Sequence, residues 1–175
     1  MNLILRFVWL LLTLPFIPKE PVLKVWKKKF RAWPHDCDIN LHLTNSRYWS
    51  FADLARTYSL ARLGVLRKML KKKWAVVVQS QEITFLRQVN PFQKIWVETE
   101  LIYWDEKYFY IEHHFVSSNA LHAKGLIRGL FMQGRNVIPT EEVLELAGID
   151  QTAPPEPDSV KTWKKHLEQK KKDSQ

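Results

Sequence analysis

The chain has 175 residues, 46% of them hydrophobic, which is enough for one domain with a sizeable core. Its 27 basic and 18 acidic residues give a net charge of +9, which favours phosphate-bearing partners, although each lysine run alone is more often a solvated face. The lone Cys37 excludes an intramolecular disulfide, and with one cysteine the chain offers no compact zinc-ligand spacing.

An apolar run over residues 3–17 opens the chain. A bilayer crossing needs ~20 predominantly apolar residues, whereas this run is shorter, contains Arg6 and meets Pro15 and Pro18. It also lacks the basic region and small-residue cleavage site of a signal peptide. Two alternatives remain: a peripheral membrane anchor helped by Trp9, or a segment that packs on the domain or its dimer mate. The membrane surface is favoured, and the expected location is cytoplasmic.

Acid/base groups concentrate in residues 34–45, between a strand-like run and a helix-like run. In this stretch polar side chains alternate with apolar or neutral ones. An extended backbone would therefore project the polar set to one side while the apolar set anchors the other. The polar set is Asp36, Asp38, Asn40 and His42, and the apolar set is Ile39, Leu41 and Leu43.

A helix is predicted from Thr44 or Asn45, which are favourable caps, up to Gly64. Unpaired N–H groups and the positive end of the dipole at its N-terminus favour an anion or a polarised carbonyl oxygen. A carboxylate beside such a site indicates acyl-transfer chemistry, while the alternative is an aspartate that only caps the turn. The inner face of the helix is expected to carry Tyr48, Phe51, Ala52, Ala55, Ser59 and Leu63.

Alternating aromatic and β-branched residues after the helix predict a meander of antiparallel strands. Strict alternation places Tyr103 on the face of Val97, and Trp104 with Trp96 on the opposite face, where a dimer would cover them. A strand, a helix and a meander indicate an α+β fold, in which the sheet must curl around the single long helix. The predicted strands are residues 75–87, 94–104, 108–117 and 121–133.

The C-terminal part is predicted to add little beyond charge. A short helix over residues 140–147 is expected to end at Gly148, and the Pro-rich residues 153–157 have the composition of a linker. The last residues are expected to form a peripheral charged helix. The predicted organisation is an apolar segment over 1–18, the main domain over 19–136, a helix over 137–150, and a linker with a basic tail over 151–175.

The spacing Asp-x-Asp-x-x-x-His-x-x-Asn-x-x-Tyr over residues 36–48 resembles the hot-dog-fold acyl-CoA thioesterases of the 4-hydroxybenzoyl-CoA thioesterase type. The similarity continues through residues 51–56, 83–87 and 90–94, and covers roughly residues 25 to 135. Within that family the chain is most similar to the small, membrane-associated thioesterase superfamily member six branch and its bacterial relatives. The resemblance implies a curved antiparallel sheet around one central helix, and a homodimer or dimer of dimers with its active site at a subunit interface.

Carried over by this resemblance, Asp38 stands where the family keeps its catalytic carboxylate, which acts as nucleophile or as base on a water. Asp36 is the less favoured candidate. His42 and Asn45 match positions that orient the substrate or support the turn, and the N–H groups around residues 43–46 would polarise the thioester carbonyl. The supporting residues are expected to be Asp36, Asn40, Tyr48 and Asp53, the last paired with Arg56.

The chain departs from the family at Leu41, where a glycine commonly precedes the histidine, and at Thr44, where the usual doublet is Asn-Asn. If the backbone there must approach the substrate closely, Leu41 would narrow or reshape the pocket.

The function implied is that of a hydrolase of lipid metabolism, which cleaves acyl-CoA to free acid and CoA without a cofactor. Arg87 and Arg128 are candidates for binding the CoA phosphates. Nucleic acid is not an expected partner, because the aromatic residues alternate on strands instead of interleaving with the lysines. The alternatives are hydrolysis of an acyl-carrier-protein thioester, and a non-catalytic acyl-binding, membrane-associated protein.

Overall fold

The central element of the fold is α2 (Asn45–Arg62), which follows Thr44 in extended backbone conformation. The computed structural model describes residues 3–13, 16, 18, 24–149 and 152–174. Five of the six side chains predicted for the inner face of α2 are buried, and the small Ala52 and Ala55 let the sheet approach the helix closely. The buried members of the predicted set are Tyr48, Phe51, Ala52, Ala55 and Ser59.

Six antiparallel strands within the described residues form one sheet around α2. Their order is β1-β3-β4-β5-β2, and β6 pairs with β5. The α+β architecture and the four-strand meander are confirmed, while β6 and the short helix α3 (Leu66–Lys72) were not predicted. The strands are β1 (Trp26–Arg31), β2 (Trp74–Phe85), β3 (Lys94–Trp104), β4 (Phe109–Val116), β5 (Leu121–Gln133) and β6 (Asn136–Ile138).

A β-bulge in β3 changes the direction of its last side chains. The register with β4 shifts between Leu101 and Tyr103. Ile102 and Tyr103 consequently both belong to the outer apolar cluster, which is built on Tyr110 and Leu126. Trp104 is 6% exposed and belongs to an inner apolar cluster that includes Phe109 and Phe131. The prediction that Tyr103 shares a face with Val97 and that Trp104 faces outward is wrong, because one extra residue moves every later side chain to the other face.

The outer face of the sheet is covered by a C-terminal helix, α5 (Asp158–Asp173). Its buried Val160 and Trp163 pack with Tyr110 and Leu126 of β4 and β5. This charged helix therefore supplies cover that the sequence analysis assigned to a second subunit. Trp104 faces the core, so it no longer supports the argument that a dimer is needed to cover outward-facing tryptophans.

Two further helices pack against apolar clusters of the core. α1 (Leu3–Thr13) packs on α2 through Leu10, which is 2% exposed, so the alternative in which the N-terminal segment packs on the domain holds for this side chain. α4 (Thr140–Ala147) lies over the other inner cluster and ends at Gly148, as predicted. Leu14, Pro15 and Ile17 of the apolar segment lie outside the described residues. No helix in the described part of the chain combines the length and the apolar character needed to cross a membrane.

Candidate active site

The loop between β1 and α2 folds back on itself instead of staying extended. Pro34–Asp36 forms a single 3-10 turn, after which Cys37 and Leu43 pair in an isolated antiparallel bridge. The Asp38 N–H donates to the carbonyl of His42 at 2.8 Å and closes the tip of the loop. The prediction that four polar side chains line one side of extended backbone is therefore wrong, because hydrogen bonds within the turn replace the alternation of a strand.

The apolar residues of the loop also do not share one face. Leu43 is 4% exposed and belongs to the core, whereas Ile39 is 98% and Leu41 is 64% exposed. The predicted anchoring is confirmed only for Leu43, because the turn directs the other two side chains to solvent.

Leu41 occupies the left-handed backbone region with φ of 57°, which explains why a glycine suits this position. The conformation costs a non-glycine residue ~1–2 kcal/mol, while glycine costs roughly 0.5–1 kcal/mol in chain entropy. We expect Leu41→Gly to raise the free energy of unfolding by about 0.5–1 kcal/mol in urea denaturation. Ile39→Gly, in the same turn but without a positive φ, should lower it; an equal change in both variants would contradict the prediction.

Asp38 presents a partly engaged carboxylate at this turn. Its Oδ1 accepts the backbone N–H groups of Asn40 at 2.9 Å and His42 at 3.2 Å. Its Oδ2 accepts no hydrogen bond from the described residues. Such a turn fixes the side chain. One oxygen is therefore held by the loop, and the other is available to a substrate or a water.

Asp36, in contrast, is a buried structural carboxylate that is 1% exposed. Its Oδ2 accepts hydrogen bonds from Arg6 Nη2 at 2.5 Å and from the Trp33 N–H at 3.0 Å, and its Oδ1 lies 3.2 Å from Arg47 Nε. The carboxylate thus joins α1, the loop and α2. Oδ1 accepts no hydrogen bond from the described residues, but both oxygens are buried beside cations, which leaves neither for a substrate.

The first turn of α2 offers two backbone donors. Of the N–H groups expected around residues 43–46, that of Leu43 donates to the backbone carbonyl of Val89 at 2.9 Å, and that of Thr44 donates to the backbone carbonyl of Asp36 at 3.0 Å. The N–H groups of Asn45 and Ser46 have no acceptor among the described residues. These two groups lie at the positive end of the helix dipole and are able to donate hydrogen bonds to an anion.

An open depression of about 310 Å³ lies between the loop, the first turn of α2 and the segment after β2. It brings together five of the residues identified from sequence: Asp38, His42, Asn45, Tyr48 and Arg87. Sequence analysis missed the other wall, which consists of Phe85, Leu86 and Gln88 beside Arg87. Only its position at the end of a predicted strand was visible in the sequence.

This missed wall is tied to the start of β5. The His122 Nδ1–H donates to the carbonyl of Gln88 at 2.9 Å, and the N–H groups of Leu86 and Arg87 donate to the carbonyl of His122 at 2.8 and 3.0 Å. His122 is buried, so the segment that faces Asp38 is held by the sheet.

Tyr48 and Cys37 complete the surroundings as neutral groups. Burial, and secondarily Cys37, raises the pKa of Tyr48 to about 12, and its ring packs edge-on against Phe85 with centroids 5.1 Å apart. Burial raises the pKa of the Cys37 thiol, and the Asp36 and Asp38 carboxylates raise it further. A raised pKa argues against a thiolate nucleophile.

Besides Asp36, three residues identified from sequence lie outside the depression. Asn40 lies at the tip of the loop, where its N–H group donates to Asp38 Oδ1. Asp53 pairs with Arg56, as expected. Arg128 donates to Gln79 Oε1 at 2.8 Å and stacks on the Tyr108 ring, so it does not share a site with Arg87.

Asp53 and Arg56 lead to a buried polar cluster that sequence analysis did not identify. Arg56 Nη1 donates to His113 Nε2 at 3.4 Å, which places the imidazole proton on Nδ1, facing Thr99 Oγ1 at 3.0 Å. His113 is fully buried, and its pKa lies well below the usual value because of burial, with Arg56 and His114 adding to the effect. His114, the next residue of β4, lies on the opposite face of the strand and pairs with Glu112.

The lowered pKa of His113 predicts that the free energy of unfolding decreases in mild acid. The unfolded chain binds the proton below pH ~6.5 and the native state does not, so stability present above that pH falls as the pH decreases. We expect His113→Gln to reduce the slope of unfolding free energy against pH, between pH 6.5 and 5, by up to ~1.4 kcal/mol per unit. His166→Gln, the same substitution at an exposed position, is measured beside it; a wild-type slope in His113→Gln would contradict the prediction.

The sequence comparisons identify relatives of the chain. The family model of the thioesterase-like superfamily matches residues 32–163. The protein THEM6 of Xenopus laevis is 29% identical over 136 residues, which cover 76% of this chain and 64% of the relative. A probable thioesterase of Saccharomyces cerevisiae is 28% identical over 121 residues, 67% of this chain and 53% of the relative. The chain thus spans roughly half to two thirds of the length of the curated relatives it matches.

Solved structures share the fold at low sequence identity. A gentisyl-coenzyme A thioesterase superposes with a TM-score of 0.61 at 20% identity, covering 70% of this chain and 98% of its own. The 4-hydroxybenzoyl-CoA thioesterase of Pseudomonas sp. strain CBS-3 gives a TM-score of 0.64 at 16% identity, with 70% and 99% covered. The predicted hot-dog fold, with its curled antiparallel sheet, is therefore confirmed.

Proposed function

The chain belongs to the thioesterase-like superfamily, and from that membership we propose that it hydrolyses acyl-CoA thioesters to a free acid and CoA in lipid metabolism. One observation carries the proposal. Asp38, which has one carboxylate oxygen free of hydrogen bonds from the described residues, and Asn45, the first residue of α2, line the same open depression, and Ser46 follows Asn45 directly. A base or nucleophile beside an oxyanion site is the minimum that thioester hydrolysis requires.

In the proposed reaction, Asp38 Oδ2 accepts a proton from a water whose oxygen attacks the thioester carbonyl carbon. The N–H groups of Asn45 and Ser46 stabilise the oxyanion that forms. The carbon–sulfur bond then breaks, and the proton passes from Asp38 to the departing thiolate. His42 and the Asn45 side chain position the substrate. The same Asp38 oxygen serves if the carboxylate attacks the carbonyl directly and water releases the acyl group in a second step.

The proposed assignment of CoA as the thiol part of the substrate is supported by Arg87 in the wall of the depression. Its guanidinium is suited to phosphate recognition. The two superposed thioesterases named above act, by their names, on acyl-CoA substrates. The alternatives are an acyl-carrier-protein thioester, which shares the phosphopantetheine arm, and acyl binding without turnover.

The test is thiol release from short, medium, long and aromatic acyl-CoAs, beside the matching acyl-carrier-protein thioesters. We expect turnover of at least one acyl-CoA class at a higher kcat/KM than its carrier-protein counterpart. Preference for the carrier protein would replace CoA as the substrate, and binding without thiol release would replace hydrolysis.

A homodimer, or dimer of dimers, is part of the proposal. β2 is an edge strand of the sheet, and its last residue, Phe85, lines the depression. A second copy that pairs along this edge would therefore enclose the site, which is otherwise open. Sedimentation of a monomer at the concentrations used for activity would overturn this assembly.

Peripheral membrane contact through residues 3–17 of a cytoplasmic protein is likewise proposed. Its support is the exposure of apolar side chains on α1, among them Ile4, Trp9 and Leu12 at 64–66%.

A further inference from the structure

A second concave site lies on the side of the molecule where α1 runs beside the edge strand β1. Its volume is about 200 Å³, and it is separate from the depression that contains Asp38. We refer to it as the α1–β1 groove. Cationic and aromatic side chains dominate its lining: Arg6, Lys28, Lys29, Arg31, Trp9 and Trp33.

Three of the four cations in the α1–β1 groove have no acidic partner. Arg6 is neutralised by Asp36, but Lys28, Lys29 and Arg31 form no ion pair with any residue that the structure describes. Each lies over an aromatic ring: Lys28 over Tyr58, Lys29 over Trp96 and Arg31 over Trp33, at 4.7, 5.5 and 5.7 Å from the ring centroids.

Like charges gathered around one concavity repel one another, and burying a cation without a counterion costs free energy. Lys28 is half-buried, and this burial lowers the pKa of its ammonium group. An anion in the α1–β1 groove would offset both effects.

The groove is continuous with the exposed apolar side of α1. Trp9 lines the groove and is itself 66% exposed, so it belongs to both surfaces. The helix contains no acidic residue. An apolar helix face that borders a basic cluster, with a tryptophan at the boundary, has the composition of a segment lying in the interface of an anionic bilayer.

We propose that the α1–β1 groove binds the phosphate headgroup of an anionic phospholipid while the outward face of α1 lies in the membrane interface. This proposal rests on the membrane contact proposed above for residues 3–17 and names the lipid class, but it does not depend on hydrolysis. Charge argues against a second copy of the chain on this surface, because a symmetric contact would bring the same three cations together.

The test is sedimentation of the full chain with vesicles of phosphatidylcholine, with and without phosphatidylglycerol. We expect binding to increase strongly with phosphatidylglycerol. The double variant Lys28→Gln/Arg31→Gln should lose at least about tenfold in its partition coefficient, because each cation near an anionic surface contributes roughly a fivefold gain.

The matched control is Lys71→Gln/Lys170→Gln, which makes the same change in net charge at two exposed positions away from the α1–β1 groove. A loss in the control equal to that in the groove variant would assign binding to total charge and overturn the proposal, as would wild-type protein that shows no preference for phosphatidylglycerol. Arg31→Gln alone, at an exposed position, carries the test if the double variant unfolds.

Turnover of acyl-CoA separates this proposal from the proposed function. Vesicle binding needs no substrate, so a chain without hydrolase activity gives the same sedimentation result. A groove variant with unchanged vesicle binding but a raised KM for acyl-CoA would assign the cations to the CoA phosphates and overturn the lipid assignment.

Discussion

Asp38→Asn is expected to lower kcat/KM for thioester hydrolysis by about 100-fold to 10,000-fold, the range over which a positioned general base contributes. The amide cannot accept the proton of the attacking water, nor act as a nucleophile. The asparagine Oδ1 still accepts the N–H groups that Asp38 Oδ1 holds, those of Asn40 and His42. The turn should therefore persist, and the loss should reflect chemistry and not unfolding.

The assay is thiol release under single-turnover conditions, with the unfolding midpoint and the affinity for a non-hydrolysable acyl-CoA analogue measured beside it. Both of these should remain near wild type. Asp53→Asn is the matched control, because Asp53 is an exposed carboxylate that pairs with Arg56 outside the depression. Retention of more than about a tenth of wild-type kcat/KM by Asp38→Asn would remove Asp38 from its proposed role.

Asp36→Asn is expected to lower the free energy of unfolding by about 3–5 kcal/mol, the usual cost of removing one partner of a buried ion pair. The side chain of Asp36 is completely buried, and that of Arg6 is only 9% exposed. The variant leaves the Arg6 guanidinium buried without a counterion and also weakens the contact with Arg47. For a domain whose total stability is ~5–15 kcal/mol, this loss is a large fraction.

Urea or guanidinium denaturation gives the value, and a double-mutant cycle identifies its cause. Arg6→Met removes the buried cation, so Asp36→Asn should cost much less in the Arg6→Met background than in the wild type. Strictly additive losses, or a loss below about 1 kcal/mol in the single variant, would show that the pair does not hold the loop to α1.

Local patterns predicted most of the secondary structure and the centre of the site. Helical spacing from Tyr48 to Ser59 identified α2, and alternation identified β2 to β5 within a few residues of their bounds. The motif placed Asp38, His42 and Asn45 at the same helix N-terminus, where the depression lies. These features depend on neighbours in sequence, so the sequence alone was sufficient for them.

The features that sequence analysis missed depend on contacts between distant segments. Nothing near Asp36 indicates that Arg6 is its partner, and nothing near Arg87 indicates that its segment faces Asp38. The bulge between Leu101 and Tyr103 inserts one residue into an otherwise regular alternation, and the pattern of residue types does not reveal this insertion. Likewise, the composition of α5 predicted a charged helix but did not indicate that Val160 and Trp163 complete an apolar cluster.

The cover that α5 provides has a consequence for how the protein is made. The ribosome synthesises the strands that carry Tyr110 and Leu126 well before the helix that shields them. Until Val160 and Trp163 emerge and dock, the aromatic side chains of this cluster on the nascent sheet remain uncovered. A chaperone that recognises such surfaces would therefore engage the chain once these strands emerge, and the docking of α5 would remove the surface that it binds.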